Sequence, residues 1–441
     1  MEHNLSDTSF FGTEKIGKIL LKIAPPVMIA QLIQALYNIV DSFFIGKYSV
    51  NALAALSVIF PLQFIIIAIA VGTGVGVNTY MARCYAQGKE KEANNTAGTG
   101  MVLELISWGL FSILAVLVMK PYFRISLTSP KAVSYAVTYG RIVCVGSIGA
   151  FLEGNWSKVH QAKGNMKLPM IAQVTGAVVN VILDPLLIFG IGFFPEMGIA
   201  GAAVATILGQ FAAAVITGIH GFRKPPEIHE MPGYARLIYR YGYSSILMQA
   251  LCTVYIVILN IILATFSDAA VTVLGLYYKL QTFFFIPLFG LQTCIVPVLS
   301  YNYARKSYGR CRETMKDSIF ISLSFMAVGF ICFAFFPKPL IHIFSSDPEV
   351  LQIGKIAFPI IGASFFSAVF SLIMPVFFQA IGKGFPSLML SLTRQIFCLI
   401  PIFWLLSLIG LNETWLAFPL SETIAGGIGF ALYWRQLRRW G

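Results

Sequence analysis

Apolar residues occur along the chain in long runs separated by short polar stretches. Most runs reach about 20 residues, the length of a helix that crosses a bilayer. Twelve candidate spans follow, at about residues 19–46, 52–82, 96–119, 136–160, 168–193, 197–220, 238–266, 270–302, 315–336, 350–380, 386–410 and 413–434. Because 57% of the residues are hydrophobic and 11% are charged, the chain cannot be a soluble domain. The pattern predicts an all-α polytopic membrane protein.

An internal repeat with an offset of 218 residues divides the chain into two halves. Identical residues match without a gap, among them Gln31 with Gln249, Gln63 with Gln281, Gly72 with Gly290, Tyr85 with Tyr303, and Gly164 with Gly382. Each half contains six spans, so both halves enter the membrane in the same direction and form parallel repeats. We expect an N-terminal six-helix lobe at 1–220, a cytoplasmic linker at 221–237 and a C-terminal six-helix lobe at 238–441.

Lys and Arg residues are distributed unequally between the two sides of the predicted membrane. On the side of the two termini there are 22, and on the opposite side there are six: Lys47, Lys120, Arg124, Lys131, Lys338 and Lys355. Positively charged loops remain in the cytoplasm, so both termini are expected there. The net charge of +12 mostly reflects this asymmetry, and we expect no nucleic-acid partner.

Polar residues interrupt span 1 at Gln34, Tyr37, Asn38 and Asp41. Their spacing of i, i+3, i+4 and i+7 places all four on one face of a helix. A carboxylate inside the membrane is costly unless it is paired, hydrated or protonated, so Asp41 is a candidate functional residue. A structural acid that holds a helix contact is the alternative.

Further polar groups lie at a similar depth on spans 5 and 6. Counting about 1.5 Å per residue from the span ends places Asp41 and Asp184 in the outer third of the bilayer, where they could meet. Asn180 lies one turn before Asp184, and Pro185 removes a backbone amide, which predicts a local oxygen-rich break. With the hydroxyl of Thr206, these oxygens suit a proton or Na⁺. A hydrogen-bonded packing cluster is the alternative.

The remaining intramembrane charges are harder to interpret. Arg394 and Glu422 reach a similar depth from opposite faces, which predicts a buried ion pair between spans 11 and 12. Glu104 and Glu153 could be structural or contact a substrate. Lys279 has no assignment.

Two consecutive prolines, Pro25 and Pro26, lie in the cytoplasmic part of span 1. Because proline lacks an amide hydrogen, a kink is expected here. It is either static or a moving hinge.

Motifs of enzymatic chemistry are missing from the sequence. There is no GxxxxGK[ST] sequence, and no Ser/His/Asp, Cys/His or paired-histidine arrangement has catalytic spacing. We therefore expect neither an enzyme nor a bound cofactor. A membrane-embedded enzyme is the alternative from a different class.

The stretches ALYNIVDSFFIGKYSVNALAALSVIFP, HQAKGNMKLP, FIPLFGLQTCIVPVLSYNYA, FQAIGKGFPSLMLSLTRQ and WLAFPLSE resemble the multidrug and toxic compound extrusion (MATE) family, nearest its prokaryotic DinF-like branch. The similarity covers essentially the whole chain. It implies a V-shaped pair of six-helix lobes that export amphipathic, often cationic compounds in exchange for H⁺ or Na⁺ by alternating access. A monomer surrounded by lipid in the plasma membrane of a prokaryote is expected.

The resemblance also implies roles for individual residues. The cation or proton site would be formed by Asp41, Asn180, Asp184, Thr206 and the carbonyl of Ala202. The adjoining substrate cavity would be bordered by Gln34, Tyr37, Tyr139 and Asn155, with Asn38 of the polar stripe as a further expected contact.

The sequence departs from the family pattern at three places. Span 7 has no carboxylate and span 10 has only Glu349 at its margin, so the cation site that some relatives carry in the C-terminal lobe is expected to be missing. His160 and Gln161 replace an arginine common in the loop after span 4. Glu422 stands where relatives often have Asp.

Two other transporter classes share part of this pattern. A lipid-linked oligosaccharide flippase of the same superfamily would present several cations in its cavity, whereas the first-half cavity is acidic. A major facilitator would carry a basic motif between spans 2 and 3, where this chain has AQGKEKEANN.

Overall fold

The computed structural model describes residues 8–126, 129–192 and 194–440. The regular elements in these ranges are all helices, and no strand occurs among them. The helices up to the middle of the chain are α1 (Phe10–Thr13), α2 (Ile16–Tyr48), α3 (Val50–Ala86), α4 (Glu90–Ser126), α5 (Pro130–Gly146), α6 (Ile148–Ala162), α7 (Lys167–Phe189), α8 (Ile199–Gly221) and α9 (Met231–Ala264). The remaining helices are α10 (Asp268–Phe284), α11 (Ile286–Ala304), α12 (Tyr308–Phe335), α13 (Pro337–His342), α14 (Pro348–Gly362), α15 (Phe365–Ala380), α16 (Gly384–Leu392), α17 (Ile400–Ser407), α18 (Leu411–Thr414) and α19 (Ala417–Arg438). A π-helical segment, Thr393–Leu399, separates α16 from α17.

Nine helical stretches in the described ranges are long and apolar enough to cross a membrane. They lie in α2, α3, α4, α7, α8, α9, α12, the stretch from α16 to α17, and the stretch from α18 to α19. The pairs α5–α6, α10–α11 and α14–α15 pass the same test jointly and bend by 41°, 54° and 54°. With each bent pair taken as one span, the total is twelve, so the predicted all-α class and the number of spans are confirmed.

The bends between paired helices have local causes. Ser147 Oγ donates to the carbonyl of Cys144 at 2.8 Å, and Ser364 Oγ donates to that of Ile361 at 2.6 Å. Serine side chains that bond to a preceding carbonyl compete with the helix and bend it. At the third bend, Pro287 in the first turn of α11 has no amide to continue the pattern.

The internal repeat extends to the conformation of the backbone. Gly164 and Gly382 follow equivalent helices, and both are left-handed, with φ of 77° and 80°. Gly88 and Lys306 have φ of 72° and 58°, and Lys306 is the only non-glycine residue with positive φ in the described part of the chain. Each pair is separated by 218 residues, as the sequence repeat predicts.

The helices form two compact units. The first includes Pro25–Ile246, and the second combines Phe10–Ala24 with Leu247–Gly441. The chain therefore passes from one unit to the other at Pro25 and again within α9. Helix α2 continues through Pro25 and Pro26, so a moving hinge stays a prediction, as do the lobe limits placed at 220 and 238.

The second unit has an aromatic core. The ring of Phe333 lies 4.9 Å from the rings of Phe358 and Phe365 and 5.5 Å from that of Phe284, measured between centroids. Such offset and edge-to-face pairs stabilise the packing beyond the area that they bury. Large rings are therefore an important part of the core of this unit, which also contains many aliphatic residues.

Residues 10–24 join the second unit through backbone carbonyls. Arg310 Nη2 donates to the carbonyls of Phe11 and Glu14 at 2.9 and 2.6 Å, and Asn302 Nδ2 donates to Phe11 at 3.0 Å. These bonds satisfy carbonyls that the short helix α1 leaves without partners. Residues 10–24 are thus fixed to the unit formed by the second half of the chain.

The predicted ion pair between Arg394 and Glu422 is present in the second unit. Arg394 Nε donates to both carboxylate oxygens at 2.8 and 3.0 Å, and its Nη2 lies 2.7 Å from Oε1. Ser371 Oγ donates to the same carboxylate. Because the side chains of the pair are only 13% and 7% exposed, each charge depends on the other.

Helices α7 and α8 of the first unit approach each other closely through glycines. A Cβ atom on Gly209 would lie 2.5 Å from the carbonyl oxygen of Gly176, and one on Gly176 would lie 2.7 Å from that of Gly209. Small residues allow such contact between membrane helices. No larger side chain fits at either position without separating the two backbones.

Replacing Gly209 with alanine is expected to force α7 and α8 apart. Overpacking of this kind costs about 1–3 kcal/mol, so Gly209→Ala should lower the melting temperature of the protein purified in detergent. Gly427→Ala is the matched control, because a Cβ atom at that position of α19 has no neighbour within 4 Å. Equal melting temperatures for the two variants would contradict the close contact.

Removing the negative charge of Glu422 is expected to destabilise the second unit. Glu422→Gln leaves the Arg394 guanidinium buried beside a neutral group, at a cost of about 3–5 kcal/mol. The double variant Arg394→Met/Glu422→Gln should recover most of this loss in a thermal unfolding assay. A double variant less stable than Glu422→Gln would show that the pair is not what holds these helices.

Candidate functional site

The polar stripe of α2 is buried to different degrees along its length. Asp41 is 8% exposed, Tyr37 is half-buried, and Gln34 and Asn38 are exposed. Gln34 Nε2 donates to the hydroxyl of Tyr37 at 3.2 Å. The carboxyl group is therefore the innermost polar group of this stripe.

Polar groups of α7 and α8 form a chain of hydrogen bonds in the same unit. Asn180 Nδ2 donates to Asp184 Oδ1 at 3.3 Å and to Thr206 Oγ1 at 3.4 Å, and the Thr206 hydroxyl donates to the carbonyl of Ala202 at 3.0 Å. Asp184 is fully buried and Asn180 is 2% exposed. The close approach of the two helices brings these groups within reach of one another.

The carboxyl groups of Asp41 and Asp184 lie close enough together to interact with each other. Two carboxyl groups can share a hydrogen bond only when one of them carries a proton, because ionised carboxylates only accept. Among the described residues, no donor bonds to the buried oxygens Asp41 Oδ1, Asp184 Oδ2 and Asn180 Oδ1. The arrangement thus offers several oxygens to a proton or a small cation.

Two further residues expected at the cavity differ in position. Tyr139 of α5 is 1% exposed, and its side chain lies near that of Thr206. Asn155 of α6 is also buried, but its Nδ2 donates to the carbonyl of Ala97 on α4 at 3.4 Å. Tyr139 therefore joins the group around Thr206, whereas Asn155 contacts a different helix.

The break expected at Pro185 is not observed. Helix α7 continues from Lys167 to Phe189 with Pro185 inside it. A proline removes one backbone donor, but the surrounding turns and neighbouring helices hold the conformation. The oxygens of the site consequently come from side chains and from the carbonyl of Ala202, and not from an unwound helix.

The other membrane-embedded charged residues make contacts that differ from one to the next. Glu104 on α4 is fully buried, and neither of its carboxyl oxygens has a hydrogen-bond partner in the described part of the chain. Glu153 accepts a hydrogen bond from Ser157 at 2.5 Å. Lys279 in the second unit lies over the ring of Phe344 at 6.0 Å. Within the described residues, no group of three or more His, Cys, Asp and Glu side chains is positioned to hold a metal ion.

Residues that support the site were missed in the sequence. Gly176 and Gly209 set the spacing of α7 and α8, and Ser371 completes the surroundings of Glu422. The glycines could have been found as small residues facing each other on two helices rich in Ala and Gly. Ser371 gave no signal, because a serine in an apolar span is common.

The MatE family model matches residues 26–186 and 244–423 of the chain. The FAD transporter of Shewanella oneidensis is 27% identical over 93% of both chains. The "Probable multidrug resistance protein NorM" of Thermotoga maritima is 27% identical over 80% of this chain and 78% of its own. The multidrug export protein MepA of Staphylococcus haemolyticus is 23% identical over 94% and 92%, respectively.

Solved structures share the fold. A MOP superfamily transporter from Pyrococcus furiosus has a TM-score of 0.91 at 22% identity, over 98% of both chains. An outward-facing multidrug resistance MATE transporter also has a TM-score of 0.91, at 21% identity and the same coverage. Since the family model covers most of the sequence, this multi-pass membrane protein belongs to the MatE family of transporters and is not an enzyme.

Proposed function

We propose that the protein is a secondary active exporter that exchanges small amphipathic, often cationic compounds for protons by alternating access. The observation that carries this proposal is the proximity of Asp41 and Asp184, two buried and interacting carboxyl groups with oxygens that lack a donor among the described residues. The multidrug export named for MepA and NorM supports the substrate class. The family and the twelve spans support a transporter built from two six-helix lobes, 1–220 and 238–441, joined by a linker at 221–237.

In the proposed cycle, a proton and the substrate compete for the first-half carboxyl groups. One proton between Asp41 and Asp184 leaves a single negative charge on the pair. A cationic substrate in the adjoining cavity, beside the aromatic face of Tyr37, is attracted when that proton leaves. Each ligand therefore lowers the affinity for the other, which couples inward proton movement to outward substrate movement.

A proton is favoured over Na⁺ by the donors already in the site. The amide nitrogen of Asn180 donates to Asp184 and Thr206, and the Thr206 hydroxyl donates to Ala202. A bound Na⁺ would instead need the oxygens of these groups turned inward, as hard cations require several oxygen ligands. Asp41, Asn180, Asp184 and Thr206 could still provide such a shell after rotation of the amide, so Na⁺ is the alternative coupling ion.

Export of an anionic dinucleotide is a second candidate, favoured by the similarity to a protein named FAD transporter. The acidic pair in the first unit opposes this substrate, because a pyrophosphate would be repelled by it. FAD should be tested beside the cationic compounds in every transport assay.

The oligomeric state, the membrane and the orientation of the protein are also part of the proposal. We propose a monomer in the plasma membrane of a prokaryote, with both termini in the cytoplasm. The excess of Lys and Arg on the side of the termini supports this orientation.

Removing the charge of Asp41 is expected to abolish proton-driven export. In vesicles with an imposed pH gradient, Asp41→Asn should reduce the initial rate of ethidium export by about tenfold or more, the size of a typical coupling between two sites. Asp268→Asn is the matched control, because Asp268 is exposed at the start of α10. Full export by Asp41→Asn would remove this residue from the coupling site.

The coupling ion is expected to be the proton. The unaltered protein should export ethidium under a pH gradient in sodium-free buffer and should not respond to a sodium gradient at equal pH on both sides. A response to sodium alone would assign the site to Na⁺ and leave the role of the carboxyl groups intact. A response to neither gradient would contradict secondary active export.

A further inference from the structure

A cleft of about 620 Å³ lies between α4 and α5 of the first unit. Three cationic side chains, Lys120, Arg124 and Arg141, line it together with the hydroxyl-bearing residues Ser134 and Thr138. Lys120 and Arg124 are one turn apart on α4. Since Ser134, Thr138 and Arg141 follow at helical spacing, they form one stripe of α5 that faces the cleft.

The cations of this cleft have no counter-charge. Between Leu105 and Leu152 the sequence contains no Asp or Glu. Within the described ranges, Lys120, Arg124 and Arg141 form no ion pair or hydrogen bond with protein groups.

The depth of Arg141 makes the missing counter-charge important. This residue lies eleven positions after Pro130, the first residue of α5, which is about 16 Å along the helix axis. A cation at such a distance from the helix end is costly without an anionic partner. Arg141 was not recognised among the intramembrane charges of the sequence, although an arginine inside a predicted span is a signal that could have found it.

An exposed apolar strip on α4 leads to the same cleft. Ile113 and Leu117 are 62% and 68% exposed, and they precede Lys120 and Arg124 at spacings of i, i+4, i+7 and i+11. These four residues therefore lie on one face of the helix. This face of α4 is amphipathic: the apolar side chains come first along the helix, and the cations follow toward its C-terminal end.

We propose that this cleft binds the phosphate head group of an anionic phospholipid, with one acyl chain along the exposed strip of α4. Arginine guanidinium groups form paired hydrogen bonds with phosphate oxygens, and lysine adds a point charge. The apolar strip selects a lipid over a free inorganic anion, since a soluble anion has no group to cover Ile113 and Leu117. The cleft shares no residue with the proposed coupling site, and the proposal does not depend on the proposed function.

The test measures lipid binding to the full chain in a mild detergent by native mass spectrometry. Dioleoylphosphatidylglycerol is the anionic probe, dioleoylphosphatidylcholine the neutral one, and millimolar inorganic phosphate the competing free anion. The variant Lys120→Gln/Arg141→Gln removes two cations of the cleft. Lys131→Gln is the matched control, because Lys131 lies on α5 outside the cleft, over the ring of Tyr135.

The proposal expects tighter binding of the anionic lipid than of the neutral lipid to the unaltered protein. The double variant should weaken binding of the anionic lipid by about 30-fold, given the contribution of each cation near a lipid phosphate, and Lys131→Gln should leave it unchanged. Equal binding of the two lipids, displacement by inorganic phosphate, or an equal loss in Lys131→Gln would overturn the proposal. The comparison of the two lipids needs no substitution, so it decides the question even if the double variant does not fold.

Discussion

A carboxylate buried in a membrane protein must be neutralised, and two of them side by side cannot both remain charged without a positive partner. Asp41 on α2 and Asp184 on α7 are placed in this position within the first unit. The position of Asp184 relative to Thr206 depends on the backbone contact between Gly176 and Gly209, which fixes α7 against α8. The need to neutralise these two buried acids therefore links the packing of the apolar helices to the proposed exchange of a proton or cation.

The two halves of the chain differ in how their buried acids are neutralised. At the repeat offset of 218 residues, Asp41 and Asp184 correspond to Leu259 and Ile402, so the second half lacks the acidic pair. Its own buried acid, Glu422, is neutralised permanently by an arginine at hydrogen-bonding distance. The repeated backbone thus carries an ion pair in one half and, among the described residues, the Asp41–Asp184 pair without a cationic partner in the other. Such a difference is what a coupling site needs, since a buried acid without a cationic partner can take up a positive particle.

The sequence was sufficient for the helices, but not for the detailed geometry of the polar groups. Hydrophobic runs predicted every span, and helical depth predicted that Asp41 and Asp184 could meet. The expected break at Pro185 is wrong, because neighbouring helices preserve a helix that has lost one bond. The position of Asn155 against α4 depends on the rotation of α6, which no periodicity in a nearly uniform apolar span determines.

The most direct test of the account counts the protons that substrate binding releases. Ethidium added to the purified protein in a weakly buffered detergent solution should release about one proton for each bound molecule, because the two ligands are proposed to compete for the same carboxyl pair. The variant Asp41→Asn should release none. Saturating ethidium binding without any proton release from the unaltered protein would contradict the account.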